Sequence, residues 1–153
     1  MLVSEFLTLV RARIRDNFKL EYPDEELIGY INDAISYWSS CSITNKDKLS
    51  VKTLIVDPYV DVPSDFAKFA GTYPVYIIDK RILSTDNDRV VCKYYAFDNH
   101  VSSVNDTMNF DSPVISVLLQ LTCIYALNRN QFDVTTDTSL LKSLSDVIAT
   151  AKV

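Results

Sequence analysis

The segment Tyr22–Trp38 constrains the fold of this chain more than any other stretch. Its first turn contains Asp24, Glu25 and Glu26, where the helix dipole favours negative charge. Consecutive helix positions point about 100° apart, so these carboxylates cannot converge on a metal ion or form an acid/base pair. The segment is therefore predicted to be a packing helix without chemistry. Its apolar residues recur at spacings of three and four, on one helical face: Leu27, Ile28, Ile31, Ala34, Ile35 and Trp38.

Two more helices are predicted around this one. Ser4 can cap a first helix that runs to about Asn17, and the short link 18–23 predicts an antiparallel hairpin with the second helix. The apolar run Val114–Leu127, opened by Pro113, predicts a buried third helix that is too short to cross a bilayer. The alternating arginines of the first helix are interpreted as a solvated face: Arg11, Arg13 and Arg15.

Between the second and third helices the hydrophobic period changes to two, which is typical of strands. Residues 49–55 and 59–62 predict a β-hairpin, followed by a helical turn at 66–70 that Gly71 closes in the left-handed conformation. Residues 73–83 and 89–97 predict a second hairpin. The fold class predicted is mainly α with an inserted β-hairpin region (α+β), built on a helical bundle core of three to four helices. One domain, 1–153, is expected.

The fourth predicted helix is the amphipathic segment 139–153 at the end of the chain. It has no obvious place in a small domain, so it is predicted to be a docking helix for the domain itself or for a neighbouring protein. Its apolar stripe consists of Leu140, Leu141, Leu144, Val147, Ile148 and Ala151. The candidate docking residues are Leu140, Leu141, Leu144, Val147, Ile148 and Val153.

Composition excludes several classes of function. The chain has two glycines, so glycine-rich phosphate loops are absent, and its net charge of −5 argues against free-standing binding to a nucleic-acid backbone. Its three cysteines, Cys41, Cys92 and Cys123, have no metal-ligand spacing and are expected to be reduced and partly buried. No signal peptide is expected, because charged residues interrupt the apolar N-terminus.

No residue pattern predicts catalysis, a cofactor or a metal. The only histidine, His100, lies in a polar segment without a nucleophile partner, and Asp86 and Asp88 lack the glycine and glutamate of a calcium loop. Asp57, Asp61 and Asp65 are interpreted as turn and cap residues. An aromatic run predicts cross-strand packing in preference to base stacking: Lys93, Tyr94, Tyr95 and Phe97.

Two motifs, in order, resemble those of the head-to-tail adaptor (connector) proteins of tailed bacteriophages. The first is an acidic run, a leucine and then an aromatic, aliphatic, Asn, acidic, Ala sequence, and the second is close to Leu-Pro-Ser-Asp-Phe, with Val62 in place of the leucine. The resemblance covers residues 5–70, and 113–130 only as an apolar helix. The matching residues are Asp24, Glu25, Leu27, Tyr30, Asn32, Ala34, Pro63, Asp65 and Phe66.

This resemblance implies a structural subunit of the virion neck that is made in the host cytoplasm and acts in genome packaging and ejection. Such subunits form a ring, usually of twelve copies, below the portal protein. The ring extends the DNA channel and provides a platform for the tail or nozzle protein. The resemblance also implies that the C-terminal segment reaches the portal, that DNA passes without sequence-specific binding, and that no membrane is involved.

Other functions stay open at the level of sequence. A stopper or tail-completion protein would occupy a different layer of the same neck. A small host-directed regulator would instead bind a protein partner through the 139–153 stripe. An enzyme ranks last, because His100 is its only candidate residue.

Overall fold

The computed structural model describes residues 1–129 of the chain. Contacts divide the chain into two compact units. The helical unit consists of Met1–Cys41 together with the described residues from His100 onward, and the β unit consists of Ser42–Asn99. Whether they make a single domain stays a prediction. The helices are α1 (Val3–Ile14), α2 (Asp24–Thr44) and α3 (Ser112–Leu127), and the strands are β1 (Val51–Val56), β2 (Tyr59–Asp61), β3 (Phe66–Phe69), β4 (Val75–Ile78), β5 (Arg81–Ser84) and β6 (Val90–Ala96).

The predicted fold class is wrong. The described residues are 40% helix and 23% strand, with three helices and two three-stranded antiparallel sheets, which makes a small α+β fold and not a mainly α bundle of three to four helices. The error has a physical cause: the segment predicted as inserted hairpins pairs over long range and builds sheets with a core of their own.

Apolar side chains from all three helices form the core of the helical unit. α3 is apolar on most of its circumference and is buried on most of it, as its sequence predicts. α1 makes its closest helix–helix approach to α3, not to α2 as the hairpin prediction had it. The fully buried large residues of this core are Val3, Phe6, Val10, Leu27, Ile31, Ile35, Met108, Leu118 and Leu121.

Arg11 is not part of a solvated face, contrary to the sequence prediction. It is 3% exposed, and its guanidinium pairs with Asp16 through Nη1 and with Asp24 Oδ1 at 2.6 Å through Nη2. Nη2 also donates to the carbonyl of Tyr22 at 2.8 Å. A buried guanidinium needs such partners, because an unpaired charge away from water is costly. Arg11 thus joins the end of α1 to the start of α2.

The Asp16 carboxylate organises the turn between these helices. It accepts the backbone N–H groups of Leu20 at 2.8 Å, Glu21 at 3.1 Å and Tyr22 at 3.3 Å. Burial acts to raise the pKa of Asp16, but these three N–H groups and the Arg11 guanidinium together hold it below its usual value. The turn is therefore fixed by an ionised side chain as well as by its own backbone.

The N-terminus of α1 is satisfied by a distant part of the chain. The N–H of Val3 donates to the carbonyl of Asp106 and that of Ser4 to the carbonyl of Val104, both at 2.9 Å. Helix N-termini leave their first N–H groups without intrahelical partners, so these bonds replace a side-chain cap. Ser4 lies inside the helix and Leu2 precedes it, which corrects the predicted Ser4 cap.

The β unit contains two antiparallel sheets, with strand orders β1-β6-β3 and β2-β5-β4. β6 is the central strand of the first sheet, with Thr53 opposite Lys93 and Phe69 opposite Tyr94. β4 and β5 form a tight hairpin whose two turn residues, Asp79 and Lys80, both have positive φ. Val56, Ile82 and Cys92 are the buried centre of this unit.

Three local predictions fail in this unit. β1 and β2 belong to different sheets and are not a hairpin, and β6 pairs with β1 and β3 instead of with residues 73–83. Residues 66–69 form strand β3 where a helical turn was predicted, and Gly71 does not adopt positive φ. Long-range pairing with β6 decides the conformation of β3, which local turn signals could not reveal.

Replacing Arg11 with Met should destabilise the protein by about 3 kcal/mol, because two carboxylates lose their buried partner. Arg13→Met is the matched control, since Arg13 is exposed on the same helix, and its effect should stay within about 0.5 kcal/mol. Urea unfolding followed by circular dichroism measures both values. Equal effects of the two variants would contradict the role given to Arg11.

The ionised carboxylates predict acid sensitivity. The pKa values of Asp16, Asp24 and Asp106 are all lowered in the folded protein. A lowered folded pKa contributes stability that is present above the unfolded value, near 4, and is lost as the pH falls through the folded value. We expect unfolding midpoints to fall steeply below about pH 4. Asp16→Asn should unfold at a lower urea concentration than the native chain at about pH 7. Its unfolding midpoint should also fall less between roughly pH 5 and pH 2.

Candidate functional site

The metal-ligating side chains of the described residues are dispersed. Among residues 1–129, no group of three or more His, Cys, Asp or Glu side chains is placed to hold a metal ion. His100 is exposed, and its Nε2 lies 2.8 Å from the Ser36 hydroxyl. Asp86 and Asp88 are exposed beside the turn that precedes β6. The Ser36 hydroxyl is thus a partner of the His100 ring that the sequence did not reveal.

The cysteines are unpaired thiols. Cys92 and Cys123 are buried and Cys41 is half-buried. Burial raises the pKa of the Cys92 thiol, and it also raises that of Cys123. Since the thiolate is the nucleophilic form, both groups are held in their unreactive protonated state at neutral pH.

Asn32 is the most informative of the motif residues. Its side chain makes two hydrogen bonds to one distant residue: Nδ2 donates to the carbonyl of Val101 at 2.8 Å, and Oδ1 accepts the N–H of Val101 at 2.9 Å. These two bonds match the reciprocal N–H···O=C pair that opposite residues form in an antiparallel sheet. An amide side chain can form them because it has both a donor and an acceptor. One turn later, Ser36 contacts His100. Asn32 thereby fixes the segment after the β unit against the middle of α2.

The other motif residues of α2 also have structural contacts. Asp24 pairs with Arg11, which lowers the pKa of Asp24. The Tyr30 hydroxyl donates to Glu26 at 2.9 Å, and burial together with this bond raises the pKa of Tyr30 to about 12. The buried motif residues are Leu27 and Ala34, whereas Glu25 is exposed.

The second motif surrounds Asp65 in the β unit. Its carboxylate accepts from Lys52 Nζ at 2.5 Å and from the Tyr94 hydroxyl at 3.0 Å. Burial acts to raise the pKa of Asp65, but these two donors lower it overall. Phe66 stacks on Tyr94 with ring centroids 5.5 Å apart, and its N–H donates to the carbonyl of Pro63 at 3.0 Å. The motif therefore holds β1, β3 and β6 together at one point.

Two of the three aromatic residues in the run, Tyr94 and Tyr95, pack as the sequence predicts. Tyr94 is buried between Asp65 and Phe66, and Tyr95 is half-buried with Lys68 Nζ 5.6 Å from its ring centre. Phe97 is exposed. These side chains do not form a single exposed aromatic surface, so base stacking has no structural basis in β6.

Sequence reasoning missed Arg11, Val101 and Lys52 as contacts of the motif residues. Arg11 was hidden by its exposed neighbours Arg13 and Arg15, and Lys52 is exposed like any other surface lysine. One signal was available for Arg11: it lies one residue after Val10 and three before Ile14, at the margin of the apolar stripe. Val101 offered none, because it contributes backbone groups alone.

Charge is distributed unevenly between the two units. The β unit has eight Lys or Arg and eight Asp or Glu, whereas residues 1–41 and 100–129 have five and nine. α2 contains four acidic residues and no lysine or arginine. The acidic balance of the described chain therefore belongs to the helical unit. None of the described helices combines the length and the apolar character needed to span a membrane.

No protein-family model matches this sequence, and a search of the curated proteins finds no significant relative. The candidate portal-docking stripe lies outside the described residues: Leu140, Leu141, Leu144, Val147, Ile148 and Val153. It stays a prediction. The motif residues of the resemblance all lie within the described part, and most of them are fixed by the contacts given above.

Asn32→Ala should lower the free energy of unfolding by about 2 kcal/mol, because both backbone groups of Val101 lose their partner in a partly buried setting. Asp33→Ala is the neighbouring control, with an exposed side chain and an expected change within about 0.5 kcal/mol. Thermal unfolding measures stability. Hydrogen exchange at the Val101 amide provides the specific readout, and unchanged protection there in Asn32→Ala would contradict this role.

Proposed function

We propose that this protein is a non-enzymatic head-to-tail adaptor of a tailed bacteriophage. Copies of the chain would form a ring below the portal protein, with twelve subunits by analogy with the family. The ring would extend the DNA channel during packaging and ejection and would give the tail or nozzle protein a surface to bind. The protein would thus be a component of the virion neck, made in the host cytoplasm.

The structural role of the two motifs supports this proposal best. Asn32 and Asp65 each join segments that are distant in sequence: α2 to Val101, and β3 to β1 and β6. Residues with such roles are difficult to replace, because a lost partner leaves polar groups unsatisfied in the interior. A family that shares this fold would therefore keep them, which is consistent with the motif resemblance.

The electrostatics agree with a channel subunit. An acidic wall repels the phosphates of a duplex, so DNA can slide through a ring without adhering to it. The acidic excess of the described chain lies in the helical unit. We therefore propose that acidic residues of the helical unit line the lumen of the ring.

Co-expression with the portal protein from the same genome tests the proposal. We expect electron microscopy of the purified assembly to show an added ring below an intact portal. The isolated chain can stay monomeric, because the portal is the proposed template for the ring. A chain that never joins intact portals would overturn the proposal.

Mass spectrometry of purified particles separates the rival functions. An adaptor is a stoichiometric virion component, whereas a host-directed regulator is absent from particles. A stopper or tail-completion protein is also present in the virion, but it would bind to portals only after another neck protein has been added. The order of addition in a reconstituted neck therefore distinguishes these two assembly roles.

A further inference from the structure

Two bulky apolar side chains project from the turn between α1 and α2. Phe18 is 85% exposed and Leu20 is 83% exposed, and no other large apolar residue described in the helical unit exceeds 59%. We name this pair the apolar knob. Two bulky apolar side chains this exposed on one short turn form a small apolar patch that a second molecule could cover.

The apolar knob is rigid. The Leu20 N–H donates to the buried Asp16 carboxylate, and the Lys19 N–H donates to the Asp16 carbonyl at 3.1 Å. Arg11 holds the same carboxylate from inside the core. A side chain presented by such a turn loses little backbone entropy when it binds, which favours its use as an anchor.

The surface around the apolar knob is cationic. Arg13, Arg15 and Lys19 are exposed at this end of α1, and the buried Asp16 is already paired with Arg11. Glu21 is an exposed carboxylate directly after Leu20, so the cationic groups exceed the exposed acidic ones without being alone. Lys19 lies 3.5 Å from Asp24, an exposed pairing that leaves the lysine accessible. The partner surface should therefore combine negative charge with room for a ring and a methyl-bearing side chain.

The outer face of α2 has these properties; we define it by Glu25, Gly29 and Asp33. The three residues are spaced by four and are all exposed. A Cβ added to Gly29 would meet no atom within 4 Å. A glycine inside a helix costs about 1 kcal/mol relative to alanine, and nothing in the described fold requires it. It does leave bare backbone open to close approach from outside, between two carboxylates.

We propose that the apolar knob of one copy packs over Gly29 of a second copy, with Arg15 and Lys19 facing the second copy's Glu25 and Asp33. Charge complementarity identifies the occupant, since the same chain supplies both the cationic and the acidic surface. The two surfaces are different, so the contact is head-to-tail and generates a ring or an open filament. This inference deepens the proposed function, on which the expectation of a closed ring rests.

Site-directed cross-linking tests the contact on the full chain. Two differently tagged proteins, Phe18→Cys and Gly29→Cys, are mixed and oxidised in a Cys41→Ser background, because Cys41 is the only native cysteine that is not buried. We expect the mixed disulfide to dominate. Leu49→Cys replaces Gly29→Cys in the control, since Leu49 is 87% exposed but lies in the β unit. Equal cross-linking in the control pair would overturn the proposal.

Charge reversal provides a second test, because chance proximity of the two cysteines would not make the yield of mixed disulfide depend on these charges. Lys19→Glu in the Phe18→Cys protein should reduce the mixed disulfide about fivefold, and Asp33→Lys in the Gly29→Cys protein should restore it. Lys48→Glu is the matched control and should have no effect, because Lys48 is exposed in the β unit. Failure of Asp33→Lys to restore the disulfide would contradict the pairing.

Gly29→Gln separates contact from folding. Glutamine is a good helix former and its side chain points into open space, so thermal stability should not fall. The same side chain would fill the gap that the apolar knob occupies, so assembly should weaken. A variant that assembles as well as the native chain would overturn the proposal.

The outcomes for contact and function are distinguishable. If the chain cross-links as expected but joins no portal complex, the proposed function is rejected and the proposed contact is supported. The opposite case is a protein that has the proposed function without the proposed contact. The double variant Phe18→Asp with Leu20→Asp, added to intact portals, tests for it. Closed rings of this variant, with a circular dichroism spectrum like that of the native chain, would remove the contact and keep the function.

Discussion

The buried guanidinium of Arg11 is the interaction on which the helical unit depends. It binds Asp16 and Asp24 and the Tyr22 carbonyl, so the end of one helix, the turn and the start of the next share a single charged centre. Such a centre is costly to bury and is tolerated only when nearly every donor is used. Its Nε has no partner among the described residues, whereas Nη1 and Nη2 are both hydrogen-bonded. The turn geometry, and hence the position of Phe18 and Leu20, follows from it.

Side-chain bonds to distant backbone have the same role elsewhere in the helical unit. Asn32 fixes Val101, and the residues that follow supply the carbonyls that accept the first N–H groups of α1, those of Val3 and Ser4. The return of the chain from the β unit is therefore tied both to α2 and to the N-terminus of α1. A chain held in this way can present its loops in fixed positions, which lowers the entropy cost of any contact they make.

For the motif residues, the sequence pattern predicts which side chains are buried but not which residues they contact. Leu27 and Ala34 are predictable as buried from their spacing alone, and both are fully buried. Asn32 and Asp65 are recognisable as motif residues, but their partners, Val101, Lys52 and Tyr94, are 69, 13 and 29 residues away in the sequence. No local period reports such separations. The candidate site is therefore visible in the sequence as a set of residues and only in the structure as a set of contacts.

The sequence by itself determined the three helices, the apolar face of α2 and the presence of strands between residues 51 and 96, because hydrophobic period and length report local structure. Only the tertiary structure decided which strands pair, that Arg11 is buried and that residues 66–69 extend along β6. Strand pairing depends on segments far apart in the chain, and the environment of a charge depends on what folds over it. Those are properties of the whole packed chain, which no window of sequence contains.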